Sequence, residues 1–202
     1  MTDDLRRAAE KHFEQGNQLD ENGHREAAIT EWLEAVHLDP EHAAAHYNLG
    51  IAYADEGEME LAVNALREAI HLDPFDVDAR RELADIYLEL DQPDEAINQL
   101  RQALSIAPSD AETAHLLARA YLGQSKWDEA AGALESGGML EEDADLWHEL
   151  ATAYARQNRT EDAILAYRRV LVCQPEHPGA TQALRALNVP LEEPPDPGDE
   201  QI

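Results

Sequence analysis

Apolar side chains recur along this chain with the spacing of amphipathic α-helices. Between residues 43 and 76 one set lies at Leu49, Ala52 and Tyr53, and a second lies at Ala62, Ala65, Leu66, Ala69 and Ile70. Both sets follow i, i+3, i+4 spacing, which predicts two helices with a turn at Gly57. We expect the second helix to end at Asp73-Pro74, because proline cannot donate a backbone hydrogen bond and restricts the residue before it.

The two-helix pattern is repeated along the chain with a period of 34 residues. The stretch "EAVHLDPEHAAAHYNLGIAY" at 34–53 returns as "EAIHLDPFDVDARRELADIY" at 68–87. Alignment on this stretch gives five units, namely 9–42, 43–76, 77–110, 111–143 and 144–177. Position 20 is alanine in every unit, at Ala28, Ala62, Ala96, Ala130 and Ala163. Position 8 is always small, at Gly16, Gly50, Ala84, Ala118 and Ala151, and position 11 is Leu19, Tyr53, Tyr87, Tyr121 or Tyr154.

These shared positions have a physical explanation. Small residues at positions 8 and 20 let paired helices approach closely, and a larger side chain there would cost about 1–3 kcal/mol in overpacking. Proline ends four of the units, at Pro40, Pro74, Pro108 and Pro175. Pro93 is the exception, and we expect it in the first turn of a helix, where proline is tolerated.

The combination of small-8, Tyr-11, Ala-20 and Pro-32 resembles the tetratricopeptide repeat over residues 9–177. The resemblance implies an all-α fold, a right-handed α-solenoid of five helix-turn-helix units whose stacked copies bury each other's apolar faces. We expect residues 1–8 to extend the first helix, with Thr2 as its N-cap. Residues 178–189 would form a capping helix at 178–187, held by Ala183, Leu184 and Leu187. We predict that residues 190–202 form a disordered, acidic, proline-rich tail.

The fourth unit departs from the repeat near its end. Gly137 replaces the expected alanine, Gly138 follows it, and Glu142 stands where proline is expected. Glycine costs roughly 1 kcal/mol in a helix interior, so this helix should end near Ser136. Two interpretations remain open: a tolerated irregular loop, or a hinge that changes the angle of the fifth unit.

Composition narrows the classes of partner. The 202 residues carry 43 acids and 15 bases, a formal charge of −28, which disfavours nucleic acids and membrane surfaces as partners. The acidity serves either a cationic protein partner or solubility in a high-salt cytoplasm. We expect a cytoplasmic protein, because Cys173 is the single cysteine and no signal peptide or bilayer-spanning apolar run is present.

The family resemblance implies that the first helix of each pair lines a groove for a polypeptide. Among thirty residues at the groove positions, twelve are acidic and three are basic, a net charge of −9 against about −4 at the chain average. The predicted groove residues are Phe13, Asn17, Tyr47, Asn48, Ile51, Asp55, Asp78, Arg81, Glu82, Asp85, Glu112, His115, Arg119, His148 and Glu149.

Some members of the family grip an acidic C-terminal peptide with a carboxylate clamp. Asn17 and Asn48 match two clamp positions, but the basic positions hold Phe13, Asp78 and Glu82. An acidic tail would meet like charges there, so we expect a basic or amphipathic partner instead. Phe13 and Tyr47 would anchor it, unless they pack against their own neighbours.

No catalytic or metal chemistry is expected. Most of the nine histidines recur at fixed repeat positions, and His115 and His148 are too far apart in successive units to share one zinc ion. We predict that Cys173 and the three tryptophans are core residues. The sequence therefore predicts a non-catalytic adaptor, scaffold or chaperone-like module without cofactor or metal. The alternative is a structural scaffold that forms homo-oligomers.

Overall fold

The computed structural model describes residues 2–137 and 143–190, which form eleven α-helices and no strand. The helices are α1 (Asp3–Glu21), α2 (Arg25–Leu38), α3 (Ala43–Asp55), α4 (Met59–Leu72), α5 (Val77–Glu89), α6 (Pro93–Ile106), α7 (Ala111–Gly123), α8 (Trp127–Gly137), α9 (Asp143–Arg156), α10 (Thr160–Cys173) and α11 (Pro178–Ala186). The predicted all-α fold is confirmed. Within the described ranges, none of these helices has the length and apolarity needed to cross a bilayer.

The chain divides into two compact units, Met1–Pro108 and Ser109–Ile202. In the first unit α1 pairs with α2, α3 with α4, and α5 with α6, while α2 packs on α3 and α4 packs on α5. In the second unit α7 pairs with α8 and α9 with α10, α8 packs on α9, and α11 packs on α10. Every helix in either unit thus covers the apolar face of a neighbour, as stacked helical hairpins require.

Small residues lie where the paired helices touch. The alanines at position 20 are all completely buried. At position 8, Gly16 lies against the indole of Trp32, and a Cβ placed on it would be 2.5 Å from Trp32 Nε1. A Cβ on Gly50 would be 2.6 Å from Leu66 Cγ. The absence of a side chain at these two positions is what lets α1 and α3 contact their partners so closely.

The turn inside each hairpin uses one left-handed residue. Gly23 and Gly57 both have φ of +78°, and Asp91, Ser125 and Asn158 occupy the same place with φ between 55° and 59°. The amide after this residue donates back to the carbonyl of the residue at position 11, as in the Schellman motif. The prediction of a turn at Gly57 is correct, and polar residues fill the same role in the later hairpins.

The helix ends follow most of the expectations from the sequence. Thr2 is the N-cap of α1, although its side chain makes no capping hydrogen bond, and Pro93 begins α6. The expectation for α11 was partly wrong. Leu184 is buried as expected, but Ala180 is its buried companion, Ala183 is only half-buried, and Leu187 is 37% exposed because it lies at the C-cap.

Helix α8 runs to Gly137, one residue beyond the expected end at Ser136. A Cβ on Gly137 would collide with the Cβ of Ala114 on α7, so a close helix contact accounts for this glycine. Gly138 and Glu142 lie outside the described residues. Both interpretations, the irregular loop and the hinge, therefore remain open.

We expect Gly16→Ala to lower the free energy of unfolding, and Gly132→Ala to raise it. Both changes add the same methyl group inside a helix and gain about 1 kcal/mol of helix propensity. At Gly16 the methyl group meets the buried indole of Trp32, and overpacking of about 1–3 kcal/mol exceeds that gain. Nothing lies within 4 Å of a Cβ on Gly132. Urea unfolding of both variants measures the difference, and equal shifts would contradict the packing role of Gly16.

Candidate functional site

A cavity of about 350 Å³ opens on the first unit. Its lining residues are Asn17, Asp20, Glu21, Arg25, Trp32, Tyr47, Asn48, Ile51 and Glu82. Five of the predicted groove residues, namely Asn17, Tyr47, Asn48, Ile51 and Glu82, are thus brought together in one place. The cavity combines amide, aromatic, aliphatic and carboxylate groups.

Two asparagines join three helices at the floor of this cavity. Asn17 Oδ1 on α1 accepts a hydrogen bond from Trp32 Nε1 on α2 at 3.0 Å, and another from Asn48 Nδ2 on α3 at 2.7 Å. Trp32 is only 2% exposed, so the bond to Asn17 satisfies a buried donor. The Asn17 amide nitrogen and the Asn48 carbonyl oxygen make no further hydrogen bond within the described ranges. These two groups remain available to donate to, and accept from, a ligand.

Glu82 is the half-buried carboxylate of the cavity. Burial raises its pKa, and the carboxylates of Asp85, Asp78 and Asp55 raise it further, while the Arg81 guanidinium opposes them. Burial also raises the pKa of the neighbouring Tyr47 hydroxyl, with Glu82 as the next cause. The negative charge at Glu82 is thus poorly compensated by the protein, and a cation brought to it would be stabilised.

Arg25 is a cavity residue that sequence reasoning missed. It begins α2, and its guanidinium pairs with Asp20 at 2.6 Å and with Asp55 at 2.8 Å. The predicted groove positions all lie on the first helix of each pair, and Arg25 lies on a second helix, so it is not among them. Two of the twelve counted carboxylates, Asp20 and Asp55, are therefore paired with Arg25. Asp55 lies at a second cavity of about 690 Å³ next to the α1–α2 turn, rather than with Glu82.

The remaining predicted residues of the first unit lie around this cavity or behind it. Phe13 packs on the core beside Trp32, and its ring centroid is 4.6 Å from that of His42. The interpretation that Phe13 packs against its own neighbours fits this position, whereas Tyr47 does line the cavity. Arg81 pairs with Asp78 at 2.6 Å, and Asp78 lies one helical turn before Glu82 on α5.

In the second unit, His148 is held between helices. Its ring centroid is 5.8 Å from that of Tyr167 on α10 and 4.9 Å from that of His177. A Cβ on Gly179 of α11 would be 2.8 Å from His148 Nε2. Burial and the nearby His177 lower the pKa of His148, and Asp145 opposes them. His148 therefore packs against α11, whether or not it also lines a groove. Glu112, Arg119 and Glu149 are exposed, and His115 is half-buried.

Two histidines cap helices at the last position of a repeat. His42 Nδ1 accepts from the Ala45 amide and His177 Nδ1 accepts from the Ala180 amide, both at 3.2 Å. Asp76 and Asp110 cap the equivalent helices in the repeats between them. The recurrence of histidine at this position is thus structural.

Cys173 and Trp127 are half-buried rather than fully buried, whereas Trp32 and Trp147 are core residues as expected.

Family models described as "Tetratricopeptide repeat" match residues 13–76, 53–120, 91–141 and 144–177. The chain belongs to the tetratricopeptide-repeat family. Such repeats form modules that bind other proteins or peptides. A search of curated proteins finds no match for this chain.

Solved tetratricopeptide-repeat structures share the fold at low sequence identity. YrrB, described as a TPR protein with an unusual peptide-binding site, is 22% identical with a TM-score of 0.70 over 86% of this chain and 90% of its own. MamA from Desulfovibrio magneticus is 20% identical with a TM-score of 0.70, over 85% of this chain and 97% of its own. The first TPR domain of RPAP3, bound to the HSP90 peptide SRMEEVD, is 19% identical with a TM-score of 0.57, over 59% and 95%.

We expect His148 to make the stability of the protein depend on pH below about 6.5. Its pKa is lower in the folded than in the unfolded protein, so the unfolded state takes up the proton first as the pH falls. The free energy of unfolding should therefore decrease from about pH 6.5 down to the folded pKa, and be unaffected by this group above that range.

Urea unfolding between pH 5 and 8 tests this dependence with His148→Phe. The variant should show a shallower loss of stability toward acid than the unchanged chain. His24→Gln is the matched control, because His24 is exposed at a turn and its side chain makes no capping hydrogen bond. An identical pH slope for His148→Phe and the unchanged chain would show that His148 is not the titrating group.

Proposed function

We propose that the cavity of the first unit binds a basic or amphipathic segment of another polypeptide, and that the protein is a non-catalytic adaptor or scaffold. The half-buried carboxylate of Glu82 is the observation that carries this proposal. Family membership supports the coarser statement of a protein-interaction module. The single cysteine, Cys173, is consistent with a cytoplasmic setting.

A cationic side chain is the group that Glu82 is best suited to receive. Arg81 already pairs with Asp78, and Arg25 pairs with Asp20 and Asp55. An arginine or lysine of a ligand would add a countercharge beside Glu82 and stabilise its ionised form. The apolar stem of that side chain would pack on Tyr47 and Ile51, which line the same cavity.

The asparagine pair would fix the backbone of an extended segment. Asn17 keeps amide donors and Asn48 keeps a carbonyl acceptor, and both are held in place through the hydrogen bond between them. A peptide unit offers one donor and one acceptor, so it can satisfy both asparagines without reference to side-chain identity. Sequence preference would then come from the acidic and aromatic wall.

The same geometry disfavours acidic peptides of the kind seen in the RPAP3 structure. An acidic ligand in this cavity would meet the carboxylate of Glu82, with that of Asp78 nearby, and like charges close together are repelled. The peptide SRMEEVD is therefore a suitable negative control for binding to this chain.

We expect Glu82→Gln to stabilise the protein at pH 7 and to weaken the binding of cationic peptides. The folded pKa of Glu82 is raised, so its ionised form costs stability at neutral pH. This cost decreases once the pH falls below the folded pKa and is gone below the unfolded pKa. Affinity for an arginine–leucine peptide should fall roughly tenfold, as expected when one charge-assisted hydrogen bond worth about 1.5 kcal/mol is lost.

Urea unfolding and fluorescence anisotropy with a labelled peptide measure the two effects of Glu82→Gln. Glu68→Gln is the matched control, because Glu68 is exposed on α4 and does not line the cavity. Its stability and affinity should stay close to those of the unchanged chain. A Glu82→Gln variant that binds the peptide as well as the Glu68→Gln variant would exclude Glu82 as a ligand-binding residue.

Neutralising the wider acidic wall should abolish capture of basic proteins. We expect the triple variant Asp78→Asn, Glu82→Gln, Asp85→Asn to lose most of its capture in a pull-down at low salt, and the unchanged chain to lose part of its capture at moderate salt. Unchanged capture by the triple variant would contradict an acidic binding surface.

A further inference from the structure

The outer face of α10 presents large apolar side chains beside cations. Leu165 is 61% exposed and Val172 is 43% exposed, and the exposed Arg168 and Arg169 lie between them along the helix. The spacing i, i+3, i+4, i+7 places the four side chains on one stripe of the helix. Two large apolar residues and two cations thus form an exposed amphipathic stripe, which we call the α10 face.

The other repeats provide an internal comparison for this face. At the position of Leu165 the earlier repeats have Thr30, Asn64, Asn98 and Gly132. At the position of Val172 the first three repeats have His37, His71 and Ser105. The same helix surface is therefore polar or bare elsewhere, although it has the same place in each hairpin. Packing within a hairpin does not require leucine and valine here, because both remain exposed in α10.

Charge is also distributed unevenly along the chain. Residues 1–149 contain 35 acids and 10 bases, a net charge of −25, whereas residues 150–190 contain 3 acids and 5 bases, a net charge of +2. The α10 face lies in this weakly basic part. A surface with this sign fits an acidic partner, and the cavity of the first unit is acidic with an apolar wall.

We propose that the α10 face docks onto the Glu82 cavity of a second copy of this chain. The assignment rests on the proposed function, since it takes this cavity as the receiving site. Arg168 would supply the cation for Glu82, while Leu165 and Val172 would pack on Tyr47 and Ile51. This is recognition of an amphipathic helix by a groove, with contacts at i, i+3 or i+4, and i+7.

The proposed contact joins two different surfaces, so it is heterologous. Each pair keeps one unused cavity on one copy and one unused α10 face on the other, and the copies can therefore grow into chains or close into rings. The formal charge of −28 on each copy opposes close approach, so we expect a reversible, concentration-dependent association that varies with ionic strength.

Sedimentation velocity of the full chain over a range of concentrations tests the association. We expect the unchanged chain to shift to larger species with concentration, and the double variant Leu165→Asn, Val172→Ser to stay monomeric. These replacements are the residues that the third repeat has at the same positions, so the fold should tolerate them. Arg168→Glu should weaken the association because it removes the cation proposed for Glu82. Arg101→Glu is its matched control and should associate like the unchanged chain, because Arg101 has the equivalent exposed position on α6.

A mixing experiment decides which surfaces meet. Copies with Glu82→Gln and Asp78→Asn keep the α10 face, and copies with Leu165→Asn and Val172→Ser keep the cavity. Each variant alone should stay monomeric, and their mixture should form a one-to-one dimer that cannot grow. Failure of the mixture to pair, while the unchanged chain does associate, would overturn this assignment of surfaces.

The two proposals can fail separately. If the labelled arginine–leucine peptide binds the unchanged chain but the full chain stays monomeric, the self-association is wrong and the proposed function stands. The acidic segment 191–202 lies outside the described residues, and its occupation of the α10 face is an outcome that the test must distinguish. If a variant truncated after residue 190 associates while the full chain stays monomeric, pairing of the native chain is likewise overturned. If the peptide does not bind, the proposed function fails, whatever the association state.

Discussion

Close contact between paired helices at alanine and glycine is the constraint on which the whole structure depends. A single hairpin cannot enclose its own apolar face, so each hairpin needs a neighbour at short range. Ala28 and Ala62 are completely buried, and Gly16 meets an indole ring without any intervening side chain. The larger residues fill the space that remains, and the left-handed residue at each turn brings the two helices back together. Stability therefore comes from many equivalent contacts between adjacent helices.

The same packing determines which polar groups are left for a ligand. Trp32 must be buried to fill the space beside Gly16, and its indole nitrogen then needs an acceptor, which Asn17 supplies. Asn48 completes the pair, so two amides are fixed at the cavity floor as a consequence of core packing. Glu82 is held against this floor at a cost to its ionised form. A cationic ligand of the kind proposed above would offset part of that cost.

The helix boundaries could be predicted from the sequence because the repeat fixes them many times over. Proline, the left-handed turn residue and the small residues each recur at one position, so an error in one unit is corrected by the others. The cavity was predicted only in part. Arg25 begins a second helix but reaches carboxylates on α1 and α3, and His148 is covered by α11. Such contacts depend on which helix ends come together in space, and periodicity along one helix does not contain that information.

A repeat protein also lets one separate residues required by packing from residues that packing leaves free. Gly137 departs from its repeat, and its contact with Ala114 explains why. His42 and His177 replace the aspartates found at the same position, and both serve as helix caps. Leu165 and Val172 depart from their repeat as well, yet both are exposed, so burial among the described residues does not account for them. Burial of those two side chains would contribute free energy only in an assembly, because the isolated chain leaves them in water. The α10 face is thus a departure from the repeat for which an assembly would supply the reason.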